Sequence, residues 1–125
     1  MKDTTRIFLA DTYAFIELIG GNVNYKPYLS HIWITTKFNL IELYYHLLHD
    51  YGKDTADQYL AAYSPLVIPI THNSIRKGMA FKIMHKKEHL SYVDCIGYAL
   101  AQELGVKFLT GDNKFESKEN VEFVK

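Results

Sequence analysis

Four carboxylates stand out in this sequence by where they fall. Asp11 directly follows an apolar run, and Asp112 follows another in Leu109-Thr110-Gly111-Asp112-Asn113. Glu42 lies at the edge of an apolar helical stripe, and Asp94 in the first turn of a helix that is apolar almost throughout. Each has an ordinary structural role open to it. Asp11 suits the N-cap of the helix after it, Asp112 a turn beside Gly111, Asp94 a capping box with Ser91, and Glu42 a solvated face.

Together the four read differently. A charge beside buried apolar surface is costly unless it is paired or metal-bound. No Lys or Arg lies within one helical turn of Glu42 or Asp94, and Lys37 falls just outside that reach. The two open partners are therefore a cation from elsewhere in the fold or a metal ion. Carboxylates that converge without cations repel one another, and a hard divalent ion relieves the repulsion. An all-oxygen donor set favours magnesium or manganese over zinc. The chemistry of such a centre is activation of water and stabilisation of the oxyanions of a phosphodiester under in-line attack.

Convergence of residues so far apart in sequence requires elements that bring them together. Short apolar runs at 7–10, 32–35, 66–68, 106–109 and 121–124 have strand composition, with Pro65 and Pro69 limiting the third. Between them lie longer helical segments. One spans 12–19 and closes at Gly20-Gly21; another carries Phe38, Ile41, Tyr45 and Leu48 on one stripe and ends near Gly52. Three more follow at 54–63, at 71–85, which is basic, and at 91–104, which is apolar and closed by Gly105. Residues 25–30 fit a short helix or a loop. Strands separated by helices imply an α/β fold with a mostly parallel central sheet sandwiched by helices. Ligands of such sheets bind beyond the carboxyl ends of the strands, which is where Asp11 and Asp112 fall.

The 125 residues suffice for one domain with a hydrophobic core, expected to run over 1–125. Balanced charge, 14 basic against 14 acidic residues, argues against a polybasic arm and against a purely electrostatic nucleic-acid binder. It leaves room for a local basic patch. The single cysteine, Cys95, has no partner for an internal disulfide and reads as a buried, inert thiol. The start, Met1-Lys2-Asp3, leads into an apolar stretch interrupted by Asp11 and Glu17, a poor signal peptide and no membrane span. A cytoplasmic protein is the simplest expectation.

The segments around the acids resemble the PIN domain family, and most closely the VapC-type toxins of toxin–antitoxin pairs. Leu9-Ala10-Asp11-Thr12-Tyr13-Ala14 is similar to the family's opening strand, and Asn39-Leu40-Ile41-Glu42-Leu43 to the helix bearing its glutamate. The segment from Leu90-Ser91-Tyr92-Val93-Asp94 through Cys95-Ile96-Gly97-Tyr98-Ala99-Leu100-Ala101 is similar to its most recognisable stretch. Phe108-Leu109-Thr110-Gly111-Asp112-Asn113-Lys114-Phe115 is similar to its closing acid motif. The likeness runs in order over nearly the whole chain. It implies a single PIN-like domain and a divalent-metal-dependent ribonuclease using magnesium or manganese. Asp11, Glu42, Asp94 and Asp112 would be its metal-binding catalytic acids, and Thr12 and Thr110 supporting hydroxyls. The nucleophile would be a water on the metal. A cognate antitoxin and a homodimer are implied by the same likeness. Gly97, where an ordinary helix former is expected, and Asn113, which adds a polar contact or shapes the turn, depart from the pattern.

Other readings compete for particular residues. Arg76, Lys77, Lys82, Lys86 and Lys87 form the longest basic stretch, either a solvated helix face or contacts for RNA phosphates. The ten tyrosines offer base stacking, but core or partner contacts suit most of them better. His85-Lys86-Lys87-Glu88-His89 matches the H-x-x-E-H pattern of a zinc peptidase class, yet it spans an expected helix end. His46 and His49 suit a solvated face. A response-receiver module would need an aspartate after the middle strand, where Pro69-Ile70-Thr71-His72 has none. A PIN fold kept only for RNA or protein binding is the remaining alternative to an enzyme.

Overall fold

Apolar runs that alternate side chains to opposite faces become central strands when both faces are covered. Strand β1 (Ile7–Ala10) sends Phe8 and Ala10 into one core and Leu9 into another. Strand β3 (Lys107–Thr110) divides Leu109 and Phe108 in the same way. All five side chains are fully buried. The computed structural model describes residues 4–125; Met1, Lys2 and Asp3, with which the expected domain begins, lie outside the described residues. Strands β2 (Ile32–Ile34) and β4 (Val121–Phe123) complete a sheet of order β2-β1-β3-β4, with every pairing parallel. Leu9 lies opposite Ile34 on one side and Phe108 on the other.

Helices cover both faces, so the expected α/β sandwich is the observed one. Against the first face pack α1 (Thr12–Ile19), α2 (Lys37–Tyr51) and α3 (Lys53–Tyr63), through Ala14, Phe15, Leu43, Leu47 and Ala56. Against the second packs α5 (Tyr92–Leu104), through Cys95, Tyr98, Leu100 and Ala101, backed by α4 (His72–Met84). Helices α4 and α5 run antiparallel: Thr71 and Asn73 reach Glu103, Gly78 abuts Cys95 and Ile96, and Lys82 reaches Leu90. After β1 the chain steps one way to β2, and after β2 it crosses over to β3 on the other side of β1. The switch point therefore lies beyond the carboxyl ends of β1 and β3, where an open sheet forms its crevice.

Three expectations need correction. The stripe Phe38, Ile41, Tyr45 and Leu48 faces outward, 42–65% exposed, and α2 is buried through Leu40, Leu43 and Leu47 instead. Apolar residues occur at helical spacing on both sides of this helix, so periodicity alone does not select the face that meets the sheet. The expected strand at 66–68 is reduced to one bridge, Val67 to Thr35, flanked by a 3-10 turn Ser64–Leu66. Pro65 and Pro69, which cannot donate to a ladder, cut it short on both sides. Finally, Gly97, where an ordinary helix former is expected, stands at a close packing contact. A Cβ on Gly97 would sit 3.2 Å from the Phe108 ring and 3.6 Å from Leu9 Cδ2, so its absence lets α5 lie close on β1 and β3. The helix-propensity cost of about 1 kcal/mol is met by that packing. The undecided segment 25–30 belongs to a 3-10 run Val23–Ser30 containing Pro27.

Candidate active site

Asp11 directly follows β1 and caps α1, its side chain accepting from the Ala14 amide at 2.9 Å. The Thr110 hydroxyl, at the end of β3, donates to its other carboxylate oxygen. The capping role and a place at the switch point are thus the same position. Asp11 is buried, and its carboxyl is pushed up to about 8, by desolvation first and then by the charges of Asp94 and Asp112. The hydrogen bonds from Thr110 and Ala14 oppose that rise without cancelling it.

Asp112 is tied to the same threonine. Its amide donates to Thr110 Oγ1 at 3.0 Å, and its carboxylate accepts from the Lys114 amide at 3.0 Å. Thr110 therefore joins the acid after β1 to the acid after β3. Asp94 stands in the first turn of α5, whose N-cap Ser91 accepts from the Asp94 amide at 3.0 Å. Burial pushes the Asp94 carboxyl up to about 6, with Glu42 and Asp112 adding to the rise. Ser91 and Lys114 pull the other way.

Glu42 reaches the group from α2 through a relay of polar side chains. The Thr12 hydroxyl donates to Glu42 Oε1 at 2.7 Å, and Asn39 Nδ2 donates to Thr12 Oγ1 at 3.1 Å. The Thr36 hydroxyl, at the N-cap of α2, donates to Asn39 Oδ1 at 2.7 Å. Asn39 is buried and ties Thr36, the cap of its own helix, to Thr12 of α1, a role that sequence reasoning missed. Its one signal is an amide in an apolar stretch one turn before Glu42. Lys114 was missed as well: it is the cation that Asp94 feels, and it lies two residues beyond Asp112.

The four acids thus stand around the carboxyl ends of β1 and β3, coupled by charge. Among the described residues no ion pair joins any of them to a Lys, Arg or His. Every buried side-chain nitrogen and oxygen there has a hydrogen-bond partner. The donor set is all oxygen, four carboxylates with two hydroxyls behind them, and its mutual repulsion suits a hard divalent cation. No three of the described His, Cys, Asp or Glu side chains are grouped closely enough to hold a metal ion as they stand.

The basic stretch divides. Lys82 donates to the Leu90 carbonyl and stands 4.7 Å from the centre of the Tyr92 ring, at the start of α5. Lys86 and Lys87 belong to the exposed turn Lys86–Glu88 that follows α4. Lys77 lies near Glu103 at the other end of α5, and Arg76 precedes it on α4. Asn113 accepts from Lys125 Nζ at 3.0 Å. The H-x-x-E-H match is not a zinc site: His85 ends α4, His89 has a left-handed backbone, and Glu88 is occupied by His85 and Lys118. The buried Cys95 thiol is pushed up to about 11, chiefly by desolvation, in line with an inert role. No helix among the described residues is long and apolar enough to cross a membrane.

The PIN domain family model matches residues 8–120, a span that contains all four acids. Among solved structures the fold is similar to VapC20 of Mycobacterium tuberculosis, a toxin described as cleaving the sarcin–ricin loop. That similarity has 21% identity and a TM-score of 0.77, and covers 95% of this chain and 99% of that one. It is also similar to a chain of a toxin–antitoxin complex from Klebsiella pneumoniae. There the identity is 19% and the TM-score 0.72, with 94% of this chain and 96% of the other covered. No curated protein matches the sequence. At these identities the structural likeness is one of fold.

Proposed function

The chain belongs to the PIN domain family, and from that premise we propose that it is a divalent-metal-dependent endoribonuclease, the toxin of a toxin–antitoxin pair. The observation that carries this reading is the acid group itself. Four carboxylates from four segments stand around the switch point, two of them raised by burial and by neighbouring carboxylates, and among the described residues none is ion-paired with a Lys, Arg or His.

In this reading Asp11, Glu42, Asp94 and Asp112 hold magnesium or manganese. A bound ion there would supply an activated water and a positive charge for the oxyanions of a phosphodiester. The remaining work belongs to the chain. Thr110 aims Asp11 and fixes the Asp112 backbone; Thr12, held by Asn39, aims Glu42. Asp11, whose carboxyl is pushed up to about 8, would lose its proton on holding an ion, so binding would release acid near neutral pH. Lys82, Lys86 and Lys87 lie toward the Asp94 end and serve as phosphate contacts, which position an RNA without reading its sequence. Arg76 and Lys77 extend that surface toward the other end of α5, and Asn113 shapes the Asp112 turn. The toxin–antitoxin complex among the similar folds supports a protein antitoxin as partner. A homodimer follows from the family likeness.

Purified protein incubated with single-stranded and structured RNA, with Mg2+ or Mn2+, tests the reading beside an EDTA control and an Asp94→Asn variant. Cleavage that needs the ion and disappears in the variant is the expected result. Cutting that survives both EDTA and the substitution belongs to a contaminant. Absence of cleavage on every RNA, with no metal-induced rise in Tm, would leave the fold as a binding module.

A further inference from the structure

The start of α5 borders an open groove of about 660 Å³, lined by Met79, Lys82, Ile83, Lys86, His89 and Tyr92. Its lining is divided in chemistry. Met79 and Ile83 supply apolar surface, Lys82 and Lys86 supply positive charge, and Tyr92 supplies an aromatic ring that is 65% exposed. No carboxylate lines it.

The groove and the acids are linked at two places. Tyr92 precedes Asp94 by two residues on the same helix. On the other side, Lys114 Nζ donates to the His89 carbonyl at 3.2 Å, while the Lys114 amide donates to Asp112. Tyr92 is also held in place. Lys82, anchored on the Leu90 carbonyl, lies over its ring at 4.7 Å and leaves most of the ring in solvent. An exposed aromatic ring braced by a lysine, beside apolar surface and a second cation, has the chemistry of a stacking platform with a phosphate contact.

We infer that this groove seats an unpaired nucleobase of the RNA strand whose phosphate lies at the four acids. The base packs against Tyr92 and the apolar surface, and the adjoining phosphates lie along Lys82 and Lys86. This rests on the ribonuclease reading and adds a base-binding subsite to it, one that only an unpaired base can occupy, because a base stacked inside a duplex cannot reach the ring. Stacking of this kind tolerates any base, so the groove selects for strand state and not for sequence. Two cations and no carboxylate fit a polyanion better than a basic peptide.

Equilibrium binding separates the possibilities, using the full chain with Asp112→Asn to stop cleavage. Fluorescent single-stranded RNA and a duplex of the same sequence are titrated against this protein and against the same protein with Tyr92→Ala or Tyr92→Phe. Tyr92→Ala is expected to weaken single-strand binding by roughly five- to a hundredfold, Tyr92→Phe to restore it, and duplex binding to change little. An oligonucleotide carrying one abasic site at the seated position should lose the difference between Tyr and Ala. Single-strand binding within twofold of the Tyr92 protein, or an equal loss on the duplex, overturns the groove and leaves the ribonuclease reading standing. The first of those results would hand the groove to a protein segment. A wild-type chain that neither binds nor cleaves any RNA overturns the ribonuclease reading and the groove with it.

Discussion

Glu103 and Asp94 sit near opposite ends of α5, one helix with two acids in contrary surroundings. Glu103 accepts from Asn73 Nδ2 and the Thr71 hydroxyl, with Lys77 nearby, and these hold its carboxyl below the usual range. Thr71 in turn closes a capping box with Ser74 at the start of α4. At that end each polar group has a neutral or positive partner, and the acid fastens two helices together. At the Asp94 end burial and neighbouring carboxylates raise the acid, and Lys114 offsets only part of the rise. A carboxylate that stabilises is surrounded by donors. One raised by burial and by other carboxylates costs stability, and a crevice that holds two such groups, Asp11 and Asp94, is a candidate functional site on that ground.

The largest effect that should separate the two ends is on cleavage. Asp94→Asn is expected to lower the rate of RNA cleavage by more than the roughly 10–100-fold lost when a group merely supporting a metal ligand is removed. Glu103→Gln should leave that rate unchanged. Initial rates at saturating Mn2+ read both. Equal losses in the two variants would erase the distinction between the ends.

Next come the hydroxyls behind the acids. Thr110→Val and Thr12→Val are each expected to cost about 10–100-fold in metal affinity or rate. Higher Mn2+ should recover part of the loss, because the carboxylates remain. Loss that no metal concentration recovers would mean that these threonines act on the substrate and not through Asp11 and Glu42.

A stability comparison carries the sign of the charge argument. Asp11 has its carboxyl raised from 3.8 to about 8 in the folded chain. Between those values the folded state binds the proton more tightly than the unfolded one, so this group's contribution is fully present below about pH 3.8 and is lost as pH rises through about 8. The metal-free protein should therefore melt at lower temperature at pH 8 than at pH 5. Asp11→Asn should raise Tm by roughly 3–10 °C at pH 8, and the gain should shrink toward pH 4. Saturating Mn2+ should raise the wild-type Tm at pH 8 and leave the variant nearly unmoved. Glu103 has the opposite sign, so Glu103→Gln should lower Tm at neutral pH. Thermal melts across pH, with and without ion, check all of this.

The smallest effect expected is electrostatic. Lys82→Ala or Lys86→Ala should each reduce the slope of log binding constant against log salt by about 0.7, the value per phosphate contact on single strands. Arg76→Ala and Lys77→Ala, toward Glu103, should reduce it less. Anisotropy titrations at several salt concentrations decide between a graded surface and a uniform one.

The contrast between the two ends also marks what the sequence made legible. The central strands and α5 could be read because their apolar runs are buried on both faces or along almost a whole helix, and so carry an unambiguous pattern. The acids after β1 and β3 could be read because strand ends are fixed by those runs. The face of α2 could not, since Leu40, Leu43 and Leu47 compete with Phe38, Ile41, Tyr45 and Leu48 at the same spacing, and only contact with the sheet chooses. The relay from Thr36 through Asn39 and Thr12 to Glu42 was hidden for a related reason: its members lie up to 30 residues apart and meet only after α1 and α2 have packed. Gly97 looked like a defect along the helix and became intelligible once Phe108 lay against it. Glu103 drew no notice because a helix-end acid has no sequence mark for the cap that holds it.

Manganese binding measured by the loss of the free-ion EPR signal tests the central claim most directly, because it needs no knowledge of the RNA. Wild-type protein and Glu103→Gln are expected to take up Mn2+ alike at pH 8, while Asp94→Asn binds at least about tenfold more weakly. Uptake that is absent from the wild type, or unchanged by Asp94→Asn, would contradict the assignment of these acids to a metal.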